Sequence, residues 1–536
     1  MKRFTKITAL LLCLLMLCSL FAGCGNNNEY GEIEIASPEE LDPAKIGDYS
    51  TLKLPLDTKG TTIRALVNTD VTTNNDSVFV KELRRRTGLN VQIVAVPISA
   101  YKEKLKIIIA SQDEMPDMMS SSGLSTDDIN DFGNQGAFAE VLHYQDKLPN
   151  FKKIYVDEAE ERGVAGNLKN IMSADGNLYY FPVYDISRDV NHGMLYRKDI
   201  FDKHGIKLWN DKESFLNVLR QLKKLYPNSI PFASKTGSGI FRDLGYSWGL
   251  NYFAPYYDEE TDKWKYSCAD PKFKELIDFI KTMYQEGLID PEFLTCTQAA
   301  WTQKMTQREK SFVTWDWIGR LDMFQEQSTI PGYNLRYGNP VGPKQTLVTL
   351  EQVSLGGVCV TNNKVSDLSI KVMDFLYSDA GAELMTCGVR GETFEIDETT
   401  GMAKYLDPEL QAKEKVDIMD LRSKYCMWMS GAYRRVDPRS CYFQFTEREQ
   451  EAQDWVEKCG GLEPSDPVVT FVGDTATKAS DIVGRLSKKF EEVMFKYIVG
   501  TETGDAAWDK WLKEAKKLGE DELCKIYNNR HKELGL

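Results

Sequence analysis

Histidine is nearly absent: His143, His192, His204 and His531 are the only four among 536 residues, at unrelated spacings. They form no HExxH pair and no paired His/Cys ligand set, which argues against a catalytic zinc centre. Cysteine supplies no alternative. Beyond the N-terminal segment stand Cys268, Cys296, Cys359, Cys387, Cys426, Cys441, Cys459 and Cys524, widely spaced and without a CxxC pair, so neither a zinc ribbon nor a redox motif is supported. After residue 22 there is no second long apolar run, and nothing beyond that point is expected to cross a membrane. Positive charge is in deficit, with 66 Lys and Arg against 80 Asp and Glu and a net charge of −14. A chain this acidic makes a poor partner for nucleic acid, which calls for basic patches. It also lacks a polybasic grip on anionic lipid.

What the chain does have begins at its N-terminus. About sixteen mostly apolar residues, 7–22, follow Lys2, Arg3 and Lys6. That is short for a bilayer-spanning helix, which needs roughly twenty residues, and it fits a secretory signal peptide. Phe21-Ala22-Gly23-Cys24 resembles the lipobox of bacterial lipoproteins, with Cys24 as the lipidated first residue of the mature chain. Acyl chains contribute roughly 0.8 kcal/mol per buried CH2 and hold a soluble domain at a membrane surface. Removing residues 1–23 takes away three basic residues and no acidic ones, leaving a mature net charge of −17. Residues 24–60 are polar, acidic and aperiodic and read as a flexible stalk.

From Thr61 onward strand and helix signals alternate. "TIRALV", "VFVKELRRRTG", "NVQIVAV", "YKEKLKIIIASQ" and "MPDMMSSS" read as strand, helix, strand, helix and short strand. That order implies a parallel sheet with crossover helices. Ligands of such sheets gather at the carboxyl ends of the strands, which points to Asn68 through Asp76, with Asn74 and Asp76 as candidates, and to Ser121. Further strands follow at "NLYYFPV", "GMLYR", "SFVTWDWIG", "YNLRYGNPVGP" and "SLGGVCVTNN". After Ser366 the chain reads as mostly helical. No internal repeat is present.

Two motifs point to other chemistry. "GYSWG", Gly245–Gly249, matches the G-x-S-x-G nucleophile elbow, which needs a buried strand before the serine and a helix after it. Arg242 and Asp243 precede it where apolar strand residues belong, and the only later histidine is His531 in a polar terminal helix. A hydrolase is therefore disfavoured. "DEETD" offers Asp258 and Asp262 as a weak calcium candidate, but it lacks EF-hand spacing and reads better as a solvated turn. No other metal and no cofactor is expected.

Aromatics are plentiful, at 11% of residues with ten tryptophans. A sugar presents an apolar C–H face and a rim of hydroxyls, so its receptor needs flat aromatic platforms and planar hydrogen-bonders. "TWDWIGR" brings Trp315, Asp316, Trp317 and Arg320 together. "GYSWGLNYF" offers Tyr246, Trp248, Asn251 and Tyr252, and "CMWMSGAYRR" offers Trp428, Tyr433 and Arg434. Trp315 and Trp317 share a strand face, and Trp317, nearest the break at Gly319, is the expected main platform. Core packing is the competing role for each ring. Trp264, Trp455, Trp508 and Trp511 lie in amphipathic stretches and are assigned to packing.

"GAFAEVLHY", "ADGNLYYFPV", "MLYRKDIFDKHGI", "KELIDFIKTMYQEGLIDPEFLT" and the terminal "FKYIVG" to "CKIYN" run, in this order, resemble the extracellular solute-binding proteins of bacterial ABC importers. The likeness is to the maltose-binding-protein-like, LplA-like lipoproteins of family 1 and spans nearly the whole mature chain. It implies an α/β, two-lobed, periplasmic-binding-protein-like (type II) fold with a hinge, an interlobe cleft and a helix-rich C-terminal part. The expected lobes are 61–187 with 343–385, and 188–342 with 386–536. The resemblance also implies a lipid-anchored, monomeric receptor outside the cell that captures an oligosaccharide for ABC-transporter permease subunits. The alternatives are the same scaffold binding a peptide or another small solute, and a secreted hydrolase.

Overall fold

A computed structural model describes residues 33–534 except 70, 72–74, 112–114, 163, 165–167, 169–170, 174–175, 185–187, 236, 252, 349–352, 430–432, 460–461, 468, 470 and 472, with backbone alone at 127, 353–356, 457 and 473. Cys24, Asn74 and Tyr252 thus lie outside the described residues.

The strands are β1 Thr62–Asn68, β2 Asn90–Val96, β3 Met118–Ser120, β4 Phe181–Tyr184, β5 His192–Arg197, β6 Phe232–Ala233, β7 Pro255–Asp258, β8 Lys263–Tyr266, β9 Val313–Trp317, β10 Leu335–Gly338, β11 Leu347–Val348, β12 Val353–Val360, β13 Phe394–Ile396, β14 Ala403–Tyr405 and β15 Leu462–Glu463. Two sheets organise the molecule, one ordered β2-β1-β3-β12-β4 and the other β10-β5-β9-β6. In the first, β1 runs parallel to β2 and β3. The crossover between β1 and β2 is the helix Val78–Thr87, started by the Ser77 hydroxyl accepting from Val80 N and stopped by Gly88 at φ +71. In the second sheet β5 is antiparallel to β9 and β10, while β6 is parallel to β9.

Each sheet has its own core. Ile63, Val80, Leu105, Phe181 and Phe375 belong to the first apolar cluster, and Met194, Leu219, Ile277, Phe490 and Trp511 to the second. Along β5 the side chains alternate, so Met194 enters the second cluster and Leu195 a smaller third one on the opposite face with Trp301 and Phe324. Trp264, Trp508 and Trp511 are buried, and Trp455 donates to Asn339 Oδ1 at 2.9 Å.

The boundaries differ from the sequence reading in two places. Ala36, Leu41, Ile46 and Leu52 are buried in the first cluster, so much of the expected stalk is laid onto the first lobe. Its polar backbone explains how an acidic, aperiodic run is held: Ala36 N donates to Arg85 O, Leu56 N to Thr87 O, and Asp48 O accepts from Ala380 N. Residues 386–441 also pack with the first lobe rather than the second. Phe394, Tyr405, Leu421 and Met427 enter its core, and the buried Glu383 carboxylate takes Arg439 at 2.7 Å. The chain therefore passes between sheets from Tyr184 to His192, from Gly338 towards Val353, and again after Cys441 rather than near Thr386.

Candidate ligand-binding site

Register places one end of each sheet at these passages. Tyr184, the last residue of β4, pairs with Val353, the first of β12, while β3 ends with Ser120 opposite Val358. In the second sheet β6 and β9 end beside the start of β5, with His192 opposite Trp317 and Met194 opposite Trp315. Side chains at these ends stand where the chain crosses from one lobe to the other.

On β9 the expected sharing of one face fails: Trp315 packs against the second cluster, whereas Trp317, the last residue of the strand, packs against the third with its ring over Gly319. Asp316 is buried between two cations, Lys235 Nζ at 3.1 Å and Arg320 Nε at 2.9 Å. Both cations also lie 5.3 Å from the Trp301 ring centroid. Two charge-assisted bonds and an aromatic wall hold this carboxylate in place.

Trp315 has a different setting. The His192 ring stacks on it at 5.1 Å and 17°, Tyr246 lies at 6.4 Å, and the Arg242 guanidinium carbon is 5.5 Å from its centroid. Arg242 donates through Nε and Nη2 to Asp243 Oδ1 at 3.0 and 2.8 Å. Burial pushes the Asp243 carboxyl up to about 7, against the pull of Arg242. Burial likewise pushes the His192 imidazole down to about 4, although its ring keeps an exposed edge.

Trp317 lines a cavity of about 20 Å³ together with Arg188, Met323, Lys415, Tyr442 and Glu449. Such a space holds about one water, not a sugar ring. Gly319 closes over the indole, since a Cβ there would come within 2.5 Å of it. Trp317, the expected main platform, thus lies against Gly319 and borders a space too small for a sugar ring.

Other sequence candidates fall away from this place. Trp248 is 1% exposed, packed on Phe279 in the second core. Trp428 is 2% exposed in the first core and donates from Nε1 to Thr386 O. Tyr433 packs against Trp428, and Arg434 is fully buried with Nη1 on Phe181 O. An indole beside glycine fills the close approach that glycine permits, as Trp248 does against Gly342. Ser121 is buried and exchanges bonds with Gly357, its N donating to the carbonyl and its hydroxyl accepting from the amide, both at 2.9 Å. It fastens β12. Asp76 and Asn251 are exposed, the former just before the helix Val78–Thr87 and the latter donating its backbone N to Ser267 Oγ.

The elbow serine, Ser247, is fully buried, donates to Leu244 O and accepts from Gly342 N, both at 2.9 Å. Its hydroxyl is committed to holding a turn. Asp258 is paired with Lys265 and accepts from Thr261, and Asp262 accepts from Tyr257. A lysine thus occupies the carboxylate proposed for calcium, and no cluster of three or more acidic, His or Cys side chains suited to a metal occurs among the described residues.

Sequence reading missed His192 and Arg242 beside Trp315, Asp243 beside Arg242, and Lys235 beside Asp316. The signal was present at Arg242-Asp243, where two charges interrupt an otherwise apolar run.

A family model described as bacterial extracellular solute-binding protein matches residues 60–383. The fructooligosaccharide ABC transporter substrate-binding protein FusA of Streptococcus pneumoniae is 24% identical over 445 residues, 76% of this chain and 75% of its own. Lipoprotein LipO of Bacillus subtilis is 23% identical over 478 residues, 85% of this chain and 89% of its own. The crystal structure of alginate-binding protein AlgQ2 without calcium ion superposes with a TM-score of 0.73 at 22% identity, covering 88% of this chain and 98% of that one. This fixes the two-lobed fold. No helix among the described residues is long and apolar enough to cross a membrane.

Proposed function

The chain belongs to the bacterial extracellular solute-binding protein family, and from that premise we propose that it captures an oligosaccharide between its lobes and delivers it to an ABC importer. The observation that carries this reading is Trp315, a half-buried indole of β9 on which His192 stacks and beside which lies the Arg242 guanidinium, itself paired with Asp243. Such a ring takes the C–H face of a sugar, and its neighbours take the hydroxyls. The similarity to FusA, a fructooligosaccharide ABC transporter substrate-binding protein, supports the substrate class. In this reading binding is not followed by bond cleavage, consistent with a Ser247 sealed in the core.

The proposal includes the tether. Cys24 would carry lipid on the outer face of the cell membrane, a monomeric receptor would dock on permease subunits, and the name of LipO supports the lipoprotein assignment. A glycan array probed with the mature protein tests the substrate class. Retention of neutral oligosaccharides without release of shorter products is expected, and retention of peptides alone would contradict it. Cys24→Ala is expected to release the protein from membranes, and a variant bound as firmly as wild type would place the anchor elsewhere.

A further inference from the structure

Arg242 is an exposed charge whose guanidinium carbon lies 5.5 Å from the Trp315 centroid. Its side chain is 53% exposed while its partner Asp243 is 4% exposed. Nε and Nη2 both converge on one carboxylate oxygen, at 3.0 and 2.8 Å. That carboxylate is faced by Asp316 from β9 and Lys235 from beyond β6, as well as by Arg242 on its own helix, Gly239–Gly245. The pairing fixes one edge of the guanidinium plane. The other edge, carrying Nη1, has no hydrogen bond among the described residues. A planar fork clamped along one edge keeps little rotamer freedom to lose on binding.

We propose that Arg242 is a specificity-determining residue of the site, donating from its free edge to adjacent hydroxyls of the sugar ring stacked on Trp315. Asp243 is its positioning residue. The inference rests on the oligosaccharide reading and sharpens it: the unit at Trp315 must carry vicinal hydroxyls on the edge turned to Arg242. A lysine cannot replace the fork, because an ammonium is a point donor that would also lose the double contact to Asp243. The carboxyl of Asp243, held up at about 7, makes the clamp pH-sensitive. As pH falls through that value Asp243 takes a proton, its charge pairing with Arg242 is lost, and the fork is freed to turn into solvent.

The test is titration calorimetry of the mature chain against kestose, maltotriose, cellotriose, xylotriose and mannotriose, with thermal melts on the same samples. For whichever trisaccharide the wild type binds, Arg242→Ala is expected to weaken binding by about tenfold or more, on the scale of a truncated hot spot. Arg242→Lys should recover only part of that loss, and the melting temperature should hold within about two degrees because the side chain is surface-exposed. Asp243→Asn is expected to bind more weakly than wild type near pH 8 and to converge with it near about pH 5.5. A purely structural Asp243 would leave that pH profile unchanged. Affinity of Arg242→Ala within about twofold of wild type would overturn the proposal while leaving the carbohydrate reading intact. A wild type that binds none of the five would overturn both.

Discussion

Trp428 and Trp315 are both indoles a few residues before a glycine, and the fold sets them in different surroundings. Trp428 is 2% exposed, its indole N–H spent on Thr386 O, its ring against Tyr433 and Tyr442. Trp315, the middle residue of β9, is flanked by a histidine, an arginine and a tyrosine. The difference lies in what the neighbours cost to enclose. Tyrosine rings close over Trp428, whereas sealing Arg242 over Trp315 would strand its charge away from water.

That contrast can be broken by mutation, and the largest effect belongs to the sealed rings. Trp248→Ala and Trp428→Ala are each expected to cost about 3–5 kcal/mol of folding stability, read by denaturant unfolding. A loss below about 1 kcal/mol at either position would mean that the ring is not core. Trp317→Ala should fall between the two classes. It removes one wall of a small cavity and the surface on which Gly319 lies, so a stability loss of about 1–3 kcal/mol with ligand affinity changed less than in Trp315→Ala is expected. Greater loss of affinity at Trp317 than at Trp315 would return the platform to Trp317.

The pH dependence of stability gives the smallest and finest test. His192 has its imidazole lowered from 6.5 to about 4. Its contribution is fully present above its unfolded value and is lost as pH falls through about 4. Asp243 acts in the opposite sense, being raised from 3.8 to about 7, so its contribution is present at acid pH and lost as pH rises through about 7. Between these values the two oppose each other. His192→Gln should therefore flatten the acid limb of a melting-temperature profile and Asp243→Asn the limb near neutrality, by about one to three degrees each. Profiles identical to wild type would show that neither group is perturbed by its surroundings.

Much of the architecture was legible because it rests on periodicity. The alternation in "TIRALV" and "NVQIVAV" and the glycine stop at Gly88 located β1, β2 and the helix between them. "TWDWIG" located β9. What remained hidden depends on distance in space. Nothing local distinguishes Ala36 to Leu52 from a loose stalk, because what holds it is the backbone of Arg85, Thr87 and Ala380. The return after Cys441 was hidden likewise, since Glu383 meets Arg439 only once the chain has folded back. His192 and Arg242, fifty residues apart, become neighbours through the pairing of β5 with β9 and the placement of one short helix.

The account stands most directly on Trp315. Titration calorimetry of wild type and Trp315→Ala against the same neutral oligosaccharide, with the melting temperature of each free protein, separates a platform from a packing residue. The expected result is affinity weakened by about tenfold or more with the melting temperature of the free protein nearly unchanged. Unchanged affinity with a sharp drop in melting temperature would contradict it and place Trp315 with Trp248 and Trp428 in the core.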